Sequence, residues 1–177
     1  MEPPREFLES IGFEDVKALL VIAALDFDTR SPRGWDFYAP MILEGLLNFF
    51  RIWRKDGETR FRRVSQFIGD VFLEAITNAA RHGNHFKGVI EIGWWLGEKG
   101  VVCGIQDQGK FFYDPVNVAL VESRTTLEHT GGYGCGGGME CIYQADEIKV
   151  VSGALYLMLL KTTMESWMGK PGNKEGE

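Results

Sequence analysis

The stretch from Val64 to Gly83 constrains this chain most. Its apolar residues Val64, Phe67, Ile68, Val71, Phe72, Ala75, Ile76 and Ala79 recur at helical spacing. That pattern predicts an amphipathic helix with one buried face, stopped by Gly83 just after His82. Such a helix has to be covered by a second layer. Glu74 and Asn78 sit one turn apart on the edge of the apolar stripe and point the same way. A polar residue at the margin of a core needs a partner or costs stability, so such positions often line a site. Asn78 is suited to a metal ion or a backbone group, and Glu74 to polarising a water or hydroxyl.

With 177 residues, 45% of them apolar, the chain is long enough for one domain with a substantial core. A net charge of −6 argues against general affinity for nucleic acid or an acidic membrane. The expected partners are proteins or a small ligand. Cys103, Cys135 and Cys141 are spaced like neither a disulfide framework nor a zinc site. Free thiols in a reducing cytoplasm are expected. No signal peptide or attached sensor segment is expected, and the longest apolar run, Ala18 to Leu25, is too short to span a bilayer.

Residues 1–12 are expected to be a flexible segment, 13–165 one domain, and 166–177 a polar tail. Lys17 to Phe27 reads as a strand and Trp35 to Lys55 as a helix. Val89 to Leu96 and Gly100 to Gln106 read as a hairpin. A long irregular segment follows from Asp107 to Gly138. A short helix, Met139 to Asp146, then precedes strands Glu147 to Val151 and Ala154 to Lys161. Helices early and strands late predict an α+β fold, with a mixed, mostly antiparallel sheet and helices on one face.

Two further segments carry chemistry. In Val101 to Lys110 an apolar strand delivers Asp107 to its end, two residues before Gly109. There the carboxylate is an acceptor at the rim of a core, and the glycine permits close approach. In Thr130 to Met139, six glycines fall in the eight residues from Gly131 to Gly138, directly before a helix. Converging amides and a helix N-terminus suit an anion. This is not a P-loop, since no Gly-Lys-Ser/Thr follows.

The order of the three segments is more specific than any of them alone. A helix with Glu-x3-Asn, a strand ending Asp-x-Gly and a glycine loop before a helix resemble the Bergerat-type, or histidine kinase-like, ATPases. The resemblance runs from about Val64 to Thr162. The run Glu-Ala-x-Thr-Asn-Ala-x-x-His-Gly looks most like the anti-sigma factor serine/threonine kinases of bacterial partner switching. The resemblance implies a two-layer α/β sandwich that binds ATP and magnesium. In it Asn78 holds the magnesium, and Glu74 is the general base. Asp107 accepts the adenine amino group, with Gly109 beside the ring. Gly132, Gly134, Gly136, Gly137 and Gly138 surround the phosphates, and His82 joins the nucleotide-binding set. Residues 113–133 form a lid, and Arg81 or Arg124 adds charge near the terminal phosphate. The implied partners are an antagonist of the anti-anti-sigma type and a sigma factor, with a homodimer common among such proteins.

One position departs from the resemblance. Phe111 stands where the second glycine of Asp-x-Gly-x-Gly falls, and a bulky side chain there is expected to narrow the base pocket or replace a backbone contact. Two rival readings follow: a nucleotide-responsive binding module without kinase activity, and a detached ATP-binding domain serving a histidine-bearing protein in trans. Read without the resemblance, His82 and His85 are caps or packing residues rather than a metal pair. Trp94 and Trp95 are adjacent in a strand, so one faces away from the core, and an exposed tryptophan there would hint at a dimer or partner surface.

Overall fold

The computed structural model describes residues 1–13, 71–72, 74–85, 90–125 and 139–167. The strand expected at Lys17 to Phe27, the helix at Trp35 to Lys55 and the start of the helix at Val64 lie outside these residues.

Four strands form one sheet: β1 (Glu91–Gly97), β2 (Gly100–Gln106), β3 (Glu147–Val151) and β4 (Ala154–Leu160). They are ordered β1-β2-β4-β3, and every pairing is antiparallel. Among the described strands the sheet is thus purely antiparallel rather than mixed. The hairpin register pairs Gly97 with Gly100, so Glu98 and Lys99 alone make the turn.

Alternation along the strands divides their side chains between two clusters. Val101, Cys103 and Ile105 of β2 and Leu155, Leu157 and Leu159 of β4 point into the larger one. Opposite them lie Val71, Phe72, Ala75, Ile76 and Ala79 of α2, the helix whose described residues are 71–72 and 74–83. From Val71 to Ala79 the apolar stripe read from the sequence is therefore the buried face of α2, and Phe72 meets Trp94 edge-on at 4.7 Å between ring centroids.

Val102, Tyr156 and Met158 face the other way and are covered by Phe7 and Ile11 of α1 (Arg5–Ile11). Gly12 closes α1 in the left-handed conformation at φ 68°, and Phe13 N–H returns to the Leu8 carbonyl at 2.9 Å. Lys99 N–H then takes the Ile11 carbonyl, pinning the helix end to the β1–β2 turn. The expectation of helices on one face only is corrected by this packing, since α1 covers the second face. Trp95 is half-buried on that second face near Tyr156, so it is not the exposed partner surface expected from its adjacency to Trp94.

The segment expected to be irregular from Asp107 contains a 3-10 turn, Phe111–Tyr113, and α3 (Pro115–Glu122). Asp114 caps α3 by accepting Val116 N–H at 2.8 Å, and Pro115 supplies the first turn. The Glu122 carboxylate accepts Val150 N–H at 2.8 Å, capping a donor of strand β3. The helix expected at Met139 to Asp146 is shorter, α4 (Met139–Ile142). Beyond β4 the chain enters α5 (Lys161–Trp167), where a polar tail was expected from residue 166. Among the described residues no helix is long and apolar enough to cross a membrane.

Candidate functional site

The end of α2 is its unusual part. Ala79–Gly83 is a π-helical turn, and Asn84 N–H closes it on the Ala79 carbonyl at 2.9 Å. Such widened turns are rare and recur at functional sites. This one brings Gly83 onto the exit of β2. A Cβ at Gly83 would overlap the Asp107 carboxylate, and one at Gly109 would stand 2.8 Å from Gly83 Cα. The two segments singled out in the sequence therefore interlock through their glycines. Asn84, only 5% exposed, completes the joint: its Oδ1 accepts Gln108 N–H at 2.7 Å.

Asp107 is held from two sides. Its Oδ1 accepts Gly109 N–H at 2.7 Å, closing a turn that fixes the carboxylate at the strand end. Burial raises its pKa above the ordinary carboxylate value, and the Gly109 hydrogen bond opposes the shift. A carboxylate accepts several hydrogen bonds, so the Gly109 bond leaves capacity for a ligand donor.

These residues border a cleft of about 90 Å³, room for a few waters and so for one planar ring. Its floor is apolar, made of Ala75, Ala79, Ile105, Ile142 and Leu155. Among the described residues its polar groups are Asn78 and His82 from α2, and Asp107 from β2. Phe111 and Phe112 also line it. A mostly apolar hollow with a few converging polar groups is the usual form of a small-ligand site. Burial lowers the His82 pKa, and neighbouring Arg81 and His85 add to the effect.

Of the residues expected from sequence, Asn78, His82 and Asp107 come together, while Gly109 packs against Gly83 and is not among the lining residues. Glu74 does not join them. It is 3% exposed and lies outside the cleft lining, one turn before Asn78. Gly132, Gly134, Gly136, Gly137 and Gly138 fall outside the described residues. Arg124 is committed elsewhere: its guanidinium donates to the carbonyls of Tyr143, Ala145 and Asp146 at 2.6–2.9 Å. That clamp ties the end of α3 to the α4–β3 link. Cys141 is disulfide-bonded, which corrects the free thiol expected there, whereas Cys103 is free and buried. Cys135 lies outside the described residues.

Among the described residues no three His, Cys, Asp or Glu side chains gather as a metal cage. Magnesium held through a nucleotide does not need one, because phosphate oxygens and waters supply most of its ligands. One carboxamide at the cleft, that of Asn78, fits this arrangement. The sequence reading missed Asn84, Ile142, Leu155 and Phe112. Asn84 carried a usable signal, a polar residue directly after the helix-stopping Gly83; the three apolar residues carried none. Comparisons with protein-family models, with curated proteins and with solved structures find no match to this chain.

Proposed function

We propose that this chain is an ATP- and magnesium-binding serine/threonine protein kinase of the anti-sigma type, with a histidine kinase-like ATPase fold. One observation carries the nucleotide part: residues from two segments, Asn78 and His82 of α2 and Asp107 of β2, line one apolar cleft. A purine enters with its faces against the apolar floor and its exocyclic amine toward Asp107. The phosphates then leave past Asn78, where magnesium neutralises their charge. The sequence run around Glu74 supports the protein-kinase part, with Glu74 as base and an antagonist protein as phosphoacceptor. Competition between that antagonist and a sigma factor would make phosphorylation a partner switch in the bacterial cytoplasm.

A second reading has its own support. Glu74 is buried and does not line the cleft, which favours a binding module that senses nucleotide without transferring phosphate. Calorimetry with Mg·ATP on the wild type and Asn78→Ala tests the shared premise. Magnesium-dependent binding that is lost in the variant is expected, and absence of binding at millimolar ATP would refute both readings. Labelled ATP with partner proteins then separates them. Acid-stable phosphate abolished by Glu74→Gln marks the kinase, no transfer marks the module, and acid-labile phosphate marks an ATP-binding domain acting in trans.

A further inference from the structure

We infer that Phe111 is an aromatic wall on which a planar nucleobase stacks, so that the position departing from the family resemblance makes a ligand contact rather than an obstruction. The inference rests on the nucleotide reading above. The cleft remains open with the Phe111 side chain in place, and Phe111 lines it rather than filling it. Its exposure also sets it apart. The floor residues Ile105, Ile142 and Leu155 are at most 3% exposed, whereas Phe111 is 41% exposed. A large apolar ring left open at the edge of an apolar hollow gains most when a flat ligand covers it.

The ring is carried on a fixed base. Phe111 opens the 3-10 turn, in which Tyr113 N–H bonds the Lys110 carbonyl at 3.1 Å and Asp114 N–H bonds the Phe111 carbonyl at 3.3 Å. Asn117 Nδ2 donates to the same Phe111 carbonyl at 3.3 Å. The ring stands edge-to-face on Phe112, with centroids 5.2 Å apart and planes at 84°. Phe112 is itself packed against the main core. Little ordering entropy is then lost when a ligand meets the ring.

The chemistry selects the ligand class. A phosphate makes no use of an exposed phenyl ring, and an aliphatic chain makes no use of a carboxylate. A heterocycle with an exocyclic amine uses both, stacking on Phe111 while donating to Asp107. Stacking a base on an aromatic ring typically changes affinity by roughly tenfold.

Calorimetry with adenosine, Mg·ATP and Mg·tripolyphosphate, on the wild type, Phe111→Ala and Phe111→Trp, tests this. Phe111→Ala is expected to weaken adenosine and Mg·ATP by the same factor, roughly tenfold, and to leave tripolyphosphate unchanged. Phe111→Trp should bind the base at least as tightly as the wild type. Because the side chain is exposed, the alanine variant should melt within a few degrees of the wild type, and a collapse in melting temperature would overturn the contact role. With wild-type binding intact, adenosine held as tightly or more tightly by Phe111→Ala overturns the stacking role alone. Equal weakening of tripolyphosphate overturns it as well. A wild type that binds neither adenosine nor Mg·ATP overturns the nucleotide reading and this inference with it.

Discussion

Gly83 and Asp107 carry the tightest constraint at the scale of single residues. In Gly83→Ala the new methyl group overlaps the Asp107 carboxylate, so either that carboxylate gives up its bond to Gly109 or the end of α2 moves away from β2. Overpacking of this kind costs about 1–3 kcal/mol. Chemical denaturation should read that loss, and nucleotide binding should weaken with it. Asp107 shows the reverse balance. Its pKa is higher in the folded protein than in the unfolded chain, so between those two values the folded state binds more protons. Stability therefore falls as pH rises from the ordinary carboxylate value through the raised one, and the penalty persists at neutral pH. Asp107→Asn keeps an acceptor for Gly109 N–H and removes the charge. It should melt slightly higher than the wild type at neutral pH and no higher well below the ordinary carboxylate value. It should also lose ATP binding, the trade expected of a binding group held under strain. Melting curves across pH, paired with calorimetry, check both halves. Both residues stood out in the sequence as a helix stop and a strand-end acid. Their contact did not, because nothing local relates the end of a helix to a strand exit more than twenty residues on.

At the scale of elements, caps and clamps from distant side chains tie the helices to the sheet. The Asp146 carboxylate accepts Leu160 N–H at 2.6 Å through one oxygen and Thr163 Oγ1–H at 2.6 Å through the other, stabilising the start of α5 from across the β3–β4 hairpin. Asp146→Ala removes both acceptors and should cost about 1–2 kcal/mol, as the loss of a helix cap does. Urea unfolding monitored by far-UV circular dichroism measures it, and Asp146→Asn should recover part. The strands β3 and β4 were legible in their alternation and in the Ser152-Gly153 turn. The helix α3 was not, although Asp114-Pro115 is a helix-start pair. Of its residues only Val121 is buried, so it has no stripe for periodicity to detect. The sequence likewise held no mark of the early end of α4, beyond which Arg124 gathers the carbonyls of Tyr143, Ala145 and Asp146.

At the scale of the molecule, the sheet is covered from both sides. α2 closes one face and contributes to the cleft, and α1 closes the other. Phe7 of α1 is 2% exposed, packs in the cluster on the second face and is not among the cleft lining residues. Phe7→Ala should cost about 3–5 kcal/mol in urea unfolding, while the Kd for Mg·ATP of the folded fraction stays within a few-fold. A loss of affinity that matched the loss of stability would instead couple the second face to the cleft. By itself the sequence determined the buried stripe of α2, the β1–β2 and β3–β4 hairpins, and the residue types of a polar site, because each follows from local spacing and turn chemistry. Only the tertiary structure decided that α1 occupies the second face, that Glu74 sits outside the cleft and that Asp107 lies against Gly83. These are outcomes of packing, in which the place of a side chain depends on which distant surface buries the most apolar area without stranding a polar group.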